Sequence, residues 1–514
     1  MSTLAFAFAH KVGIEMSANE TRGHAMQAHY LAESAANHAL WRLLNDPSFA
    51  PAADTYYMHS FANGRYGYKV RKPSETTFAT VATVGITGDI VTQQSYVQYL
   101  KPYNIITTYD KNGVSIPQYR RLLGALFSDP ADTVNDGSDM TQWMVLKGSP
   151  VKKEMIIGTL DAANDINLAV WDGAAWGNLI EFTTSSYDVY NCFDIAYENL
   201  SGEGLVVGRY AGWGDVRYNI WDGNSWVFGT AQQDANLTPP STLTYIDMAS
   251  KPNSNEILIA LVQGGKELKV VQWDGDAFID HGQIDDTMAT VEYGSAEIVY
   301  EQQSGDALVL WSHKNSSQIY YRVWSGASLG PQNLLLPFDF GGIPNVIRAA
   351  ADPNSDYIFV AAVDKVYDLN VAVWDGNAWI DFREISTSVD DNAGQVLDVA
   401  WEHSGEDVIV AWPPSGDNNI SYFRWQKGTA LADHPVEIGP DFQAQPVLVR
   451  LHPIAGSQKI VLLGNNSSNE LRYSLWSGNV FHGNPGVLLE VGFGTGYLPM
   501  DIAEFDITYT GGAG

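Results

Sequence analysis

Short apolar runs alternate with polar turns over most of the chain, and a tryptophan recurs in step with them. Trp171, Trp221, Trp273, Trp324, Trp374, Trp425 and Trp476 each close an apolar run and are followed within three residues by glycine, mostly as Trp-Asp-Gly. Successive anchors stand 50 to 52 residues apart. Anchors that regular mark tandem repeats. Each repeat carries four strand signals. In the second they are Phe193 to Glu198, Leu205 to Tyr210, Val216 to Trp221 and Ser225 to Phe228, with Asp222-Gly223 between the last two. Asp-Gly suits a tight hairpin turn in which both central residues take positive φ. Four antiparallel strands in a repeat of about 50 residues read as one blade of a β-propeller.

The flanks supply one more blade. Asn104 to Asp110, Val114 to Arg121 and Leu122 to Phe127 match the last three strands of a repeat. Tyr119, Gly124 and Phe127 align on Tyr218, Gly223 and Trp226, and Leu122 stands in the anchor place. Met500-Asp-Ile-Ala-Glu-Phe matches the missing first strand. The expectation is a mainly β chain whose residues 102–514 form an eight-bladed β-propeller. Seven complete blades centre on the anchors, and residues 103–128 with 499–507 make a composite closing blade. A seven-bladed ring, with the C-terminal strand docked elsewhere, is the alternative.

Residues 1–46 follow another period. Ala25, Ala28, Ala32, Ala35, Ala39 and Leu43 recur at helical spacing and predict one face of a long N-terminal α-helix, stopped by Asn45-Asp46-Pro47. An alanine face lets another backbone approach closely, so this is the expected assembly face. Strand signals from Tyr56 to Arg71, Phe78 to Val84 and Ile90 to Leu100 predict a small antiparallel β-sheet over residues 47–101.

Charge and composition narrow the chemistry. The chain has 514 residues with 59 acidic against 29 basic, a net charge of −30. Such a chain repels phosphate backbones, so nucleic acid is not an expected partner. Solubility accounts for the acidity; scattered Ca²⁺ sites are the sharper reading. Asp132, Asp136 and Asp139 in a glycine-containing loop are the calcium candidates, but Val134 stands where an EF-hand loop needs a ligand. No other cofactor is expected. The single cysteine, Cys192, reads as a buried structural thiol. No run of 18 apolar residues is present. The 11 histidines show no metal spacing, and no Ser-His-Asp set or phosphate loop stands out, so the chain is not expected to be an enzyme.

Two resemblances bear on function. Leu4-Ala-Phe-Ala-Phe-Ala-His-Lys, Glu15-Met-Ser-Ala-Asn-Glu-Thr-Arg and Tyr30-Leu-Ala-Glu-Ser resemble the region after the membrane core of type IV pilin-like minor pilins and pseudopilins. The resemblance covers about residues 1–100 and implies the pilin-type helix and sheet. It also implies inner-membrane insertion, leader cleavage and packing with other pilin-like subunits. The family's leader glycine, cleavage site and first apolar half are missing here, so the expected membrane contact runs only through an upstream apolar segment. Second, the repeats resemble those of seven-bladed bacterial lectins, which carry a Trp-x-Gly-x-x-Trp step and a sugar site between blades. Trp171/Trp176, Trp221/Trp226 and Trp374/Trp379 keep both aromatics, Phe278 and Phe481 replace the second, and Leu329 and Ala430 lose it. These rings are either inter-blade spacers or ligand contacts. The Gly-His partner of WD40 repeats and the Ser-x-Asp-x-Gly-x-x-Trp turn of sialidases are absent.

The expected function is a non-enzymatic subunit of a type IV pilus-like filament or type II secretion-like pseudopilus at the bacterial cell surface. Its propeller would serve adhesion by binding a protein or glycan. A lectin-like carbohydrate-binding propeller, merely anchored by the helix, is the alternative. A propeller hydrolase is the distant one.

Overall fold

The computed structural model describes residues 20–47, 49, 56–62, 64–71, 78–87, 90–99, 102–112, 114, 116–134, 140–183, 191–210, 215–237, 243–264, 266–289, 294–334, 339–390, 396–494 and 499–506. The chain divides into two compact units, residues 1–103 with 121–129, and residues 104–120 with 130–514.

In the first unit the helix is described over Glu20–Asn45; its expected first turns lie outside the described residues. Its end is fixed locally. Asn45 Nδ2 donates to the Trp41 carbonyl at 2.9 Å, and Arg42 pairs with Asp46 at 2.7 Å. Among the described residues the helix packs on a four-stranded antiparallel sheet whose strands follow chain order. Ala28, Ala32, Ala35, Ala39 and Leu43 are fully buried, whereas Ala25 is exposed. Gly85 shows why small residues recur there: a Cβ on it would stand 1.8 Å from the Ala28 carbonyl oxygen. The expected assembly face is therefore occupied by the chain's own sheet. The strand signal from Tyr56 to Arg71 also proves to be two strands, Tyr57–Phe61 and Gly64–Arg71, paired as a hairpin. The Asn63-Gly64 dipeptide is the hairpin signal that a single long strand overlooks.

The second unit repeats one plan. Sheets 1 to 7 are four-stranded antiparallel meanders over residues 141–183, 193–234, 243–285, 296–334, 344–386, 398–441 and 446–491. In sheet 8, Met500–Glu504 pairs antiparallel with Pro102–Tyr109, and Gln118–Leu123 follows next in order. Each first strand packs beside the first strand of the next sheet, and Met500–Glu504 packs beside those of both sheet 7 and sheet 1. The apolar clusters lie between sheets. One joins Val207 and Leu205 of sheet 2 to Leu261 and Trp273 of sheet 3; another joins Ile106 and Phe505 to Met144 and Trp171. Sheets that bury both faces against neighbours are the strand layout of a β-propeller. Cys192 is fully buried.

A longer period underlies the 51-residue one. First strands of odd sheets are Thr141–Gly148, Leu243–Ser250, Pro344–Ala351 and Pro446–Pro453, each of 8 residues. Those of even sheets are Phe193–Tyr197, Ala296–Tyr300, Asp398–Trp401 and Met500–Glu504, with 4 or 5 residues. Odd sheets also end in long fourth strands, such as Trp176–Thr183, and even sheets in short ones, such as Gln233–Asp234. The repeating element is a pair of sheets, and the seams between sheets fall into two classes.

Candidate functional site

The Asp-Gly turn after each anchor works differently from a two-residue hairpin. Trp171 pairs with Trp176 across four loop residues. Gly173 takes positive φ (95°), while Asp172 Oδ1 accepts the N–H groups of Ala174 and Ala175, both at 2.9 Å. The carboxylate closes the loop, and these backbone donors hold its pKa below the usual value. Asp222, Asp274 and Asp375 repeat the arrangement.

The anchors themselves are inter-sheet struts. Trp171, Trp221, Trp273, Trp324, Trp374, Trp425 and Trp476 are at most 4 % exposed. The indole N–H of five of them donates to a buried glutamate of the preceding sheet. The pairs are Trp221–Glu154 (3.1 Å), Trp273–Glu198 (2.7 Å), Trp324–Glu256 (2.8 Å), Trp374–Glu301 (2.6 Å) and Trp476–Glu402 (2.6 Å). Burial raises the pKa of Glu154, Glu198 and Glu301, and pushes Glu402 up to about 7. Trp425 is one of the other two. Tyr357 occupies the place of Glu256 in sheet 5, and the Trp425 indole turns to its own Thr429 carbonyl at 3.0 Å. The glutamates were legible. Glu198-x-x-Ser201 and Glu301-x-x-Ser304 recur at the first hairpin, each serine donating to its glutamate.

The second aromatics divide by seam class. At the four even-to-odd seams a tyrosine meets the next anchor and its companion: Tyr119 with Trp171 and Trp176, Tyr218 with Trp273 and Phe278, Tyr321 with Trp374 and Trp379, Tyr422 with Trp476 and Phe481. Centroid distances run from 4.9 to 6.0 Å, mostly edge-on, as aromatic quadrupoles prefer. Tyr119, Trp176, Tyr218, Phe278, Tyr321 and Trp379 keep part of each ring open to solvent, while Tyr422 and Phe481 are buried. Trp226, on an odd-to-even seam, is 7 % exposed and donates to the Asn178 carbonyl at 2.7 Å.

A ring of charge lies on the first strands, which sequence reading missed. One register level carries Asp194, Asp247, Glu297, Arg348, Asp398, Arg450 and Asp501, with Val145 in the eighth place. Lys147 stands two residues beyond Val145. The acids also clamp neighbouring sheets. Asp194 accepts the N–H of Met248 (3.0 Å), Asp247 that of Ile298 (2.7 Å), Asp398 that of Leu451 (2.8 Å) and Asp501 that of Leu146 (2.8 Å). Arg348 reaches Glu297 at 3.4 Å and Arg450 reaches Asp501 at 3.7 Å. Desolvation raises the pKa of Asp194, Asp247, Glu297 and Asp398. It pushes Asp194 up to about 7 and Glu297 up to about 8, against the pull of Lys147 and Arg348 respectively. Even so, the side chains of Arg348, Glu297, Arg450 and Asp501 keep 11 to 17 % of their surface. Deeply enclosed groups with residual accessibility line a space that water reaches.

The other candidates are quickly placed. Asp132 is exposed and accepts from Gln118 at 3.2 Å; Asp136 and Asp139 lie outside the described residues. Among the described residues no three His, Cys, Asp or Glu side chains converge as a metal would need. No described helix is long and apolar enough to cross a membrane. A shallow cleft of about 200 Å³ at the seam of sheets 8 and 1 is lined by Pro117, Thr133, Val134, Ile157, Thr159 and Asn167.

No protein-family model matches the chain, and no curated protein does. Among solved structures, a lectin from Burkholderia pseudomallei is similar at 12 % identity and a TM-score of 0.46, over 68 % of this chain and 99 % of that one. A fucose-specific lectin from Aleuria aurantia is similar at 14 % identity and a TM-score of 0.36, over 58 % and 93 %. At these scores the description of the fold rests on the strand pairings alone.

Proposed function

We propose that the second unit is an eight-bladed β-propeller, closed by sheet 8, that serves as a saccharide-binding module. The observation that carries the reading is the set of half-open aromatic pairs Tyr119/Trp176, Tyr218/Phe278 and Tyr321/Trp379, repeated at three even-to-odd seams. A ring with one face packed and one edge wet suits the apolar face of a pyranose, and polar groups at a groove's rim suit its hydroxyls. The buried anchors play no part in this contact; they set the spacing that holds the companions apart. A glycan array probed with the 514-residue chain tests the reading. Binding should weaken at least tenfold in Trp176→Ala or Trp379→Ala. Failure of every saccharide to bind would end it. Closure has its own test. Truncation before Met500 should collapse the thermal transition if that strand completes a ring, and leave it unchanged if the strand is an appendage.

A second reading draws on the first unit, whose helix on a four-stranded antiparallel sheet is the layout the pilin-like resemblance implies. It makes the chain a subunit of a surface filament. Immunogold labelling of sheared filaments should then mark them, and label confined to cell bodies would exclude it.

A further inference from the structure

The four odd-to-even seams are not alike, and in one of them an arginine is left without a partner. On the third strand of each even sheet, the position two before the anchor place faces the preceding odd sheet, because it shares a face with the anchor. In three sheets that position is committed. Asn219 donates to the Gly229 carbonyl at 2.8 Å. Phe423 is fully buried under the Arg383 guanidinium. Arg120 donates to the Leu489 carbonyl at 2.5 Å and pairs with Glu490 at 3.3 Å. In sheet 4 the position holds Arg322. Among the described residues Arg322 makes no hydrogen bond, ion pair or ring contact, and its Nε is buried without a partner.

The surroundings repeat the contrast. The outer half of the seam is bridged by Trp226 to Asn178 between sheets 1 and 2, by Leu431 to Asp381 between sheets 5 and 6, and by Arg120 to Leu489 between sheets 7 and 8. Among the described residues, residues 278–284 meet sheet 4 through the His281 ring on Trp324 at 4.6 Å and not through a hydrogen bond; the next residue, Asp285, accepts the Trp311 indole N–H at 2.7 Å. The fourth strand of sheet 3 bulges there, between Asp280 and Gln283. Gly282 in the bulge has φ of 84° and open space where a Cβ would stand. Tyr320, two residues before Arg322 on the same face, keeps its hydroxyl without a hydrogen-bond partner among the described residues, while its ring stacks on His313 at 4.7 Å.

Even one guanidinium nitrogen buried without a partner is costly. It is the more telling in a chain with twice as many acids as bases, 59 against 29, where every other arginine of the second unit has found a partner. We propose that the groove between sheets 3 and 4 binds an anionic saccharide, with Arg322 receiving its carboxylate or sulfate group and Tyr320 donating to a neighbouring oxygen. The planar fork of a guanidinium matches two oxygens of either group. The net charge of −30 works against any anion, the acidic saccharide included, so its recognition depends on this local cation. The proposal rests on the saccharide reading above and names the ligand class for one seam.

The test uses the full chain and three probes: methyl glucuronoside, glucose 6-sulfate and neutral methyl glucoside, titrated by calorimetry. The charged probes should bind at least tenfold more tightly than the neutral one. The preference for the carboxylate or for the sulfate identifies the source. Arg322→Ala should abolish the preference and leave neutral binding unchanged, and Arg322→Lys should restore part of it. Thermal stability should stay level or rise in Arg322→Ala, since an uncompensated cation leaves the seam. Equal binding of all three probes would overturn this inference and leave the saccharide reading intact. Binding of none would overturn this inference, while the saccharide reading stands or falls on the glycan array. A fall in thermal stability in both variants would assign Arg322 a structural role instead.

Discussion

The four even-to-odd seams of the second unit are built alike, and the four odd-to-even seams are not. At every even-to-odd seam a tyrosine meets the next anchor and its aromatic companion, and an acid sits on the first-strand ring: Asp194, Glu297, Asp398 or Asp501. At the odd-to-even seams the ring position holds Val145, Asp247, Arg348 or Arg450. The residue two before the anchor place is likewise asparagine, arginine, phenylalanine or arginine there. Both classes share one order of four strands, and they differ in strand length as well as in side chains. Uniform seams carry the packing that any pair of sheets needs. Varied seams are where a repeat array can change one member without disturbing the rest, and Arg322 lies on one of them.

The largest effect should come from breaking a uniform seam. Trp374→Ala removes a 4 % exposed ring that packs on Tyr321 and Trp379 and donates to Glu301. A cavity of that size costs about 3–5 kcal/mol, and the orphaned glutamate adds to it. Urea denaturation of the full chain should show a much lower midpoint. A loss below about 1 kcal/mol, the scale of an ordinary surface change, would mean the seam repacks and the uniformity is incidental.

The next test applies one chemical change to two places on the ring and expects opposite signs. Asp398 lies between Arg348 and Arg450; burial raises its pKa, against the pull of Arg450, the Leu451 N–H and Arg348 in that order. Asp398→Asn removes the carboxylate between two enclosed cations, which keep Glu297 and Asp501 as partners, and should cost about 1–2 kcal/mol. Asp247 lies between Asp194 and Glu297, with no cation at either adjacent ring position. Asp247→Asn keeps an oxygen for the Ile298 N–H and removes a charge that raises both neighbours' pKa values. It should stabilise by about 1–2 kcal/mol at pH 8. The same sign for both variants would dissolve the distinction between the two stretches of the ring.

How much of this stood in the sequence follows from what repeats. The sheets and the sheet-8 pairing were legible because anchors, turns and Asp-x-Ala steps recur at a fixed spacing. The alternation of odd and even sheets was not read, although Tyr119, Tyr218, Tyr321 and Tyr422 recur at twice that spacing. Anchor-to-anchor counting is blind to features that skip a repeat. The alanine face from Ala28 to Leu43 was visible as a face, but spacing alone cannot say whether a sheet or another subunit covers it. The ring was invisible for a deeper reason. Its residues change sign from repeat to repeat, and only strand register brings Asp194, Arg348 and Asp501 to one level. Arg322 had no signal at all, because its distinction is a missing partner.

The smallest predicted effect is a change in pH slope, and it separates the two stretches of the ring most finely. Burial lifts Asp194 to about 7 and Glu297 to about 8 in the folded chain, above the ordinary 3.8 and 4.5. An acid whose folded pKa is raised takes up a proton on folding at any pH between its two values. Stability therefore falls as pH rises through that window, and the penalty is complete above the folded pKa. Glu402 and Glu504, each pushed up to about 7 by burial, act in the same direction. The urea midpoint should thus be higher at pH 5.5 than at pH 8.5. Asp247→Asn should flatten this slope by relieving Asp194 and Glu297, while leaving the contribution of Glu402 and Glu504. A variant whose slope matches that of the parent chain would show that burial alone, and not the run of three like charges, sets the titration of the ring.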